Sequence, residues 1–330
     1  MAATPKPEAG KAVRVATRGS PLALAQARRV VARLEAVDPG RTYTLRPVRT
    51  AGDRRIEVPI HRMGGQGVFV REVQETLLAG EADVAVHSAK DLPSEEPPGL
   101  TIGCVPERLD AADALVLVNV GSGPASPYPR DPLAGLPPGA IVATGSVRRM
   151  AQLAWLRPDL GFVELRGNLA TRLERIKERA AAGVVALAAL ERLDGDSELD
   201  LEGVAILPLP TAWMLPQAGQ GAIAVECRSD SRELAELLDS ADDAAARTAL
   251  EAERAFLSAL GGGCNLPVGA LATVTGTEIH LEAMVARADG TALVRHAMSG
   301  SEPGALGSAL ATNLLDHRGG AGFLPGPPAG

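Results

Sequence analysis

The sequence predicts an α/β protein of more than one domain, and three observations carry that expectation. Over the first 190 residues short β-rich runs alternate with amphipathic helical stretches, the order expected when helices layer on a sheet. A chain of 330 residues, at roughly 150 residues per domain, has room for two to three domains. Its apolar residues make up 46% and are aliphatic rather than aromatic (2%), so the cores must be built from Ala, Val, Leu and Ile.

Val13–Thr17 reads as a strand and Pro21–Ala36 as a helix, with Ser20 at the N-cap and Pro21 at the first helical position. Thr44–Thr50 is a second strand. From Gly52 to Gly67 periodicity is weak and glycines are frequent, which reads as a long mobile loop. Helix Val70–Ala79 follows, then strands Ala82–Val86, Thr101–Val105 and Ala114–Val120. The Pro/Gly-rich stretch 121–139 marks a surface excursion near a domain boundary.

A second α/β set runs strand 140–144, helix 147–156, strand 161–165, helix 169–182 and strand 184–188, with an acidic turn at Asp194–Gly203. Past a short strand near 222–226 the pattern changes. A helix at about 243–260 leads into Gly261-Gly262-Gly263, then strands at 268–275, 278–287 and 291–298 and a last helix, an α+β arrangement. No internal repeat stands out. Residues 1–12 and the tail 319–330 read as disordered.

Charge and composition exclude several classes. The longest apolar run, Val184 to Leu190, is far short of the roughly 18 residues a membrane span needs. The start MAATPKPEAGKAV has no hydrophobic stretch of the secretory kind. Three cysteines (Cys104, Cys227, Cys264) without a CxxC fit neither a disulfide framework nor a zinc site, which points to a reducing cytoplasm. A net charge of −7 and few aromatics argue against nucleic acid as a partner. His61, His87, His280, His296 and His317 show no metal spacing, so no metal is expected.

Divided along the chain, the charge is more informative. Residues 13–72 hold twelve Arg against five acids, whereas 193–255 hold fourteen acids against four Arg. Only four of the 33 basic residues are Lys, a bias consistent with Arg-rich codon usage and equally with a site for planar carboxylates or phosphates. Functional residues also cluster where strands end, the position at which open α/β sheets bind ligands. Strand 13–17 empties into Arg18-Gly19-Ser20, strand 82–86 into His87-Ser88-Ala89-Lys90-Asp91, strand 140–144 into Gly145-Ser146-Val147-Arg148-Arg149, and strand 161–165 into Arg166-Gly167-Asn168, with Arg172 one turn on.

Four strand ends thus each offer a cation at or near a helix start, an anion-binding design with several subsites. Gly64-Gly65-Gln66-Gly67 and Gly219-Gln220-Gly221 do not extend to GxGxxG, and no P-loop is present. Cys104 and Cys227 fall in expected strands and read as core thiols. Cys264 follows three glycines on an irregular loop, a position open to either a buried or a reactive thiol.

The segments VATRGSPLALAQA (15–27), GDRRIEVPIHRMGGQGVFVREVQETLLAGEADVAVHSAKDLP (52–93), TGSVRRMAQL (144–153), ELRGNLATRLERI (164–176), LPQAGQGAIAVECR (215–228) and ERAFLSALGGGCNLPVGA (253–270) closely resemble the porphobilinogen deaminase (hydroxymethylbilane synthase) family, from about residue 13 to about 300. HSxKDxP, RGN-xx-TRL and GGC-xx-P-x-GA, in this order, are highly specific to it.

The resemblance implies a transferase of tetrapyrrole (porphyrin and heme) biosynthesis. It joins four porphobilinogen molecules head to tail, releasing ammonia each time, and liberates hydroxymethylbilane. It implies two lobes of the type II periplasmic-binding-protein kind, with a cleft between them, plus a small α+β third domain. The divisions are 13–114 with 215–235 for the first lobe, 115–214 for the second and 236–318 for the third domain. The protein is expected to be a cytoplasmic monomer.

By matching motifs, Cys264 carries a dipyrromethane cofactor through a thioether and Asp91 is the catalytic aspartate. Ser88, Lys90, Asp91, Thr144, Ser146, Arg148, Arg149 and Arg172 match cofactor-binding positions. Arg18, Ser20, Gln26, Arg149, Arg166 and Arg172 match positions that hold substrate acetate and propionate groups. Three departures stand out: Gln66 replaces the lysine usual between the loop glycines, Arg62 a lysine four residues earlier, and Gly145 a serine before Ser146. Two alternatives are a two-lobed small-anion binding protein without catalysis and a catalytically dead paralogue. The second would lack Asp91 or Cys264, and both are present.

Overall fold

The computed structural model describes residues 12–50, 67, 70–118, 131–193, 199–262 and 266–324, which fall into two compact units. One comprises the chain to Leu92, Glu96–Glu107 and Ile223–Arg247. The other comprises Pro93–Glu95, Arg108–Ala222 and Thr248 onward.

In chain order the first unit opens with β1 (Ala12–Arg18), α1 (Pro21–Val37), β2 (Thr42–Val48), α2 (Arg71–Leu78), β3 (Val84–Ser88) and β4 (Leu100–Cys104). The second unit follows with β5 (Asp113–Val118), β6 (Ile141–Ala143), α3 (Val147–Leu156), β7 (Gly161–Val163), α4 (Leu169–Arg179), β8 (Ala182–Ala186), α5 (Leu187–Leu193) and β9 (Val204–Leu209). The chain then returns to the first unit for β10 (Ile223–Arg228) and α6 (Arg232–Ser240). Helix α7 (Ala244–Ala259), β11 (Val268–Thr275), β12 (Glu278–Ala286), β13 (Leu293–Gly300) and α8 (Pro303–Thr312) complete it.

The first unit's sheet has the order β2-β1-β3-β10-β4, with β1 parallel to β2 and β3, and β10 antiparallel to β3 and β4. The second unit's first sheet has the order β7-β6-β8-β5-β9 with the same pattern: β6 parallel to β7 and β8, and β5 antiparallel to β8 and β9. In each sheet the fourth strand is donated by a crossing segment, β5 on the way out and β10 on the way back. This is the type II periplasmic-binding-protein topology that the resemblance implies. A sequence without a visible repeat therefore forms the same sheet twice. The third sheet, β11-β12-β13, is an antiparallel meander in an α+β setting.

Alternation along the strands explains the layering. On one face of the first sheet Val13, Val15, Val84, Val86 and Val225 pack with Val30 and Leu34 of α1. On the other, Ala16 and Ala85 pack with Val73 and Leu77 of α2. Aliphatic residues fill the second sheet's core, and Phe256 is the largest fully buried side chain, in the core under the third sheet.

Several boundaries differ from expectation because pairing partners, not local propensity, end a strand. The strand expected at 82–86 runs from Val84 to Ser88, since β10 continues the ladder to Ile223↔Ser88 while Asp83 turns aside to accept from Arg14. The strand expected at 184–188 is Ala182–Ala186, held in register by β6 and β5, so the apolar run that follows becomes α5. Helix 169–182 stops at Arg179 for the same reason. The structure adds strand β9 and helix α6, the latter burying Leu234, Leu237 and Leu238 at helical spacing. At the C-terminal end Phe323 and Leu324 pack against the third sheet's core, so residues 319–324 do not hang free. The loop expected at 52–67 lies outside the described residues apart from Gly67.

Within the second unit the third sheet is tied to the second in two ways. Ala151 of α3, Leu215, Met284 and Ala286 form one apolar cluster. Glu253 of α7, fully buried, accepts from Arg108 (Nη1 2.7 Å, Nη2 3.1 Å) and from the backbone N–H groups of Gly219 (2.6 Å) and Ala272 (2.8 Å). Removing one partner of a buried pair leaves the other charge uncompensated, so Glu253→Ala should destabilise this unit by about 3–5 kcal/mol. Urea denaturation followed by Trp fluorescence checks this, because Trp155 and Trp213 both lie in this unit. An unchanged midpoint would mean that Arg108 finds another partner.

Candidate active site

In the first unit, β1 ends at Arg18 and the chain enters α1 through Ser20, whose Oγ accepts from Ala23 N (3.3 Å). One turn on, buried Gln26 exchanges hydrogen bonds with Ser88: Gln26 Nε2 donates to Ser88 Oγ (2.9 Å), and Ser88 Oγ donates to Gln26 Oε1 (3.1 Å). Lys90 and Asp91, both half-buried, belong to a single 3₁₀ turn, Ala89–Asp91, directly after β3. Six sequence-predicted residues therefore gather at two neighbouring strand ends, β1 and β3, which pair in parallel. His87 and Ser88 are on the strand itself rather than in the loop after it.

The second unit repeats the device. Ser146 caps α3, its Oγ accepting from Arg149 N (3.4 Å), and buried Thr144 accepts from Ser146 N (3.2 Å). A Cβ at Gly145 would come within 2.8 Å of Leu165 O, so the glycine standing where the family has serine allows the two strand-end segments to approach. Arg166 donates to Glu164 (2.9 Å), and Arg172 of α4 to Gly167 O (2.9 Å).

The arginines at the start of α3 hold the largest surprise. Arg148 and Arg149 are buried against Asp113 of β5, itself fully buried. Arg148 Nη1 and Nη2 lie 2.7 and 3.2 Å from its carboxylate, and Arg149 Nε lies 2.9 Å away. Arg148 also donates to Leu215 O and Arg149 to Val184 O. Burial pushes the Asp113 carboxyl up, but the two guanidiniums outweigh it and hold the group well below the usual carboxylate range.

Gln220 completes the cluster, donating from Nε2 to Ala111 O (2.7 Å) and to Asp113 Oδ1 (2.9 Å). That gives the Gly-Gln-Gly segment a structural role: at Gly221 (φ +85°) a Cβ would stand 2.4 Å from Leu109 O. Reading Arg148 and Arg149 as open anion ligands was therefore incomplete, because an internal carboxylate already engages both. Two guanidiniums against one carboxylate still leave a net positive charge at a helix start. Arg148 Nε, moreover, is buried without a hydrogen-bond partner.

The sequence profile described as "Porphobilinogen deaminase, dipyromethane cofactor binding domain" matches residues 13–236, and the one described as "Porphobilinogen deaminase, C-terminal domain" matches 248–316. The chain belongs to the porphobilinogen deaminase family. A porphobilinogen deaminase of Roseiflexus castenholzii is 44% identical over 314 residues, 94% of this chain and 98% of that protein. One of Brevibacillus brevis is 41% identical over 304 residues, 92% and 93% of the two chains. Among solved structures, the periplasmic VFT2 domain of Bordetella pertussis BvgS aligns with 70% of this chain and 86% of its own at 17% identity and a TM-score of 0.40.

Porphobilinogen deaminases are transferases that use dipyrromethane, and the donor set in the second unit fits that group. Its carboxylates call for guanidiniums and hydroxyls, and Arg148, two residues after the capping hydroxyl of Ser146, keeps a buried Nε–H without a hydrogen-bond partner. Cys264, Gln66 and Arg62 lie outside the described residues. Cys104 and Cys227 are buried free thiols, and burial pushes the Cys104 thiol up to about 12. The core-thiol reading of both is thus consistent with their surroundings. Among the described residues no cluster of His, Cys, Asp or Glu could hold a metal, and no helix is long and apolar enough to cross a membrane.

Sequence reasoning missed Asp113 and Gln220 as parts of this cluster. A buried Asp at the head of an apolar strand (DALVLV) was the available signal for the first.

Proposed function

We propose that this chain condenses four porphobilinogen molecules head to tail, releasing one ammonia at each addition, and hydrolyses the product to free hydroxymethylbilane. The observation that carries this reading is the family match, which spans both the strand end bearing Asp91 and the segment bearing Cys264. Dipyrromethane, attached through a thioether to Cys264, supplies the free pyrrole α-carbon on which the product grows. Ser88, Lys90, Thr144, Ser146, Arg148, Arg149 and Arg172 hold its carboxylates. Arg18, Ser20, Gln26, Arg149, Arg166 and Arg172 bind the acetate and propionate of incoming substrate, for which planar guanidiniums are suited.

Loss of ammonia leaves an electron-poor methylene on the substrate, and positive charge spreads onto its pyrrole nitrogen. Asp91 accepts that N–H, stabilises the charge and moves protons at the nitrogen and the α-carbon. We assign three domains, one to each sheet, and a monomer working in a reducing cytoplasm without nucleic acid. The buried free thiols are consistent with that compartment.

The test is to give purified holoenzyme porphobilinogen and follow ammonia and product. One ammonia per porphobilinogen consumed is expected. Binding without ammonia release would make the protein a two-lobed anion binder instead. The arginines should divide by stage. Arg18→Leu should load cofactor, keep its stability and stall in elongation. Arg149→Leu should load poorly and also lose about 1–3 kcal/mol of stability, because Asp113 stays buried with one guanidinium fewer. Native mass spectrometry and denaturant melts of both variants check this, and identical profiles would refute the division.

A further inference from the structure

The α2 face of the first sheet is lined by aliphatic residues, with a buried polar trio toward the end of β3. There Gln74 of α2 donates from Nε2 to both carboxylate oxygens of Glu226 on β10 (2.9 and 3.0 Å). Glu226 Oε2 in turn lies 3.0 Å from His87 Nε2 on β3, a close charge contact whose angle leaves Nε2 without a hydrogen bond. The His87 and Glu226 side chains are 3% and 1% exposed. A carboxylate only accepts, so this contact is attractive when the ring carries its proton on Nε2.

Ala16, Val73, Leu77 and Ala85 show that aliphatic residues suffice to pack this face. Burying a carboxylate there costs desolvation that an apolar trio would avoid. What the polar trio adds is geometry. Successive strand residues point to opposite faces. Ser88 is held by Gln26 on the α1 side, and His87 faces Glu226, itself held by Gln74, on the α2 side, so the last two residues of β3 are engaged from both faces. The 3₁₀ turn carrying Lys90 and Asp91 starts at the next residue. The second sheet offers an independent parallel. Its own antiparallel strand β5 buries Asp113 against the arginines that start α3, again one carboxylate behind a strand-end site.

We propose that Gln74, Glu226 and His87 form a positioning device that fixes the end of β3, and through it Asp91, for the reaction. The proposal rests on the condensation reading above. Glu226→Gln and His87→Gln should each lower kcat roughly 10- to 100-fold through misplacement. KM should stay within about twofold, and the double variant should be no slower than the slower single one.

The experiment measures kcat and KM for porphobilinogen per folded holoenzyme molecule, with adduct confirmed by intact mass. Gln74→Met serves as a milder variant, expected to show a smaller loss of the same kind. Long-range ¹H–¹⁵N correlation of the parent reads the ring directly, independent of any variant's folding. His87 should be protonated at Nε2, and a bare Nε2 would overturn the proposal. Variants with parental kcat per folded molecule would overturn it as well. A parent that releases no ammonia would instead bring down the condensation reading, so the two failures are distinguishable.

Discussion

Cys264→Ala should yield a folded protein that releases no ammonia from porphobilinogen and whose intact mass lacks the pyrrole adduct carried by the parent. The thioether needs a thiolate nucleophile, and an alanine methyl offers none. Nor can the other two cysteines substitute. Cys104 and Cys227 are buried in the first unit's core, where burial raises both thiols, so at neutral pH they hold almost no thiolate and no open approach. Cys264 follows Gly261 and Gly262, both at positive φ, just past the end of α7. Cys264→Ser should also remain without adduct, because a hydroxyl at its free pKa is a far weaker nucleophile. The measurement is intact mass with peptide mapping. An adduct on Cys104 or Cys227, or on the alanine variant, would refute the assignment.

Asp91→Asn should slow turnover about a hundred- to a thousandfold, the loss of about 3–4 kcal/mol common when one preorganised electrostatic group is removed. Asn keeps the size and one acceptor but removes the charge that opposes the cation developing on the substrate. Asp91→Glu keeps the charge and displaces it by about one methylene, so it should retain more activity than Asn while still losing some.

Neither change should unfold the protein. The turn is held by Leu92 N donating to Ala89 O (3.2 Å) and by the contacts of Ser88 and His87, none of which uses the Asp91 carboxylate. Single-turnover ammonia release at matched folded concentration is the check. An Asn variant as fast as the parent would make Asp91 a structural residue.

How much was legible beforehand follows from the range of each signal. Ser20 was readable as a helix cap because a cap is a contact within three residues, and the structure places it at the start of α1. Helix 147–156 and strand 268–275 matched to the residue, since both combine strong periodicity with sharp ends. By contrast, the strand before His87 was misplaced by two residues, because its end is set by β10, more than 130 residues away in sequence.

The sequence by itself determined the α/β class, the strand-end location of Arg18, Ser88, Asp91 and Ser146, and, through ordered motifs, the family. These depend on local periodicity, local capping and residue identity. Only the tertiary structure decided which charges meet inside. Asp113 lies 35 residues from Arg148, Glu253 lies 145 from Arg108, and Glu226 lies 152 from Gln74. No periodicity spans such distances. Pairing in a low-dielectric interior also requires that each of these acids find its donors, so their partners could be known only once strands β5 and β10 had crossed into their sheets.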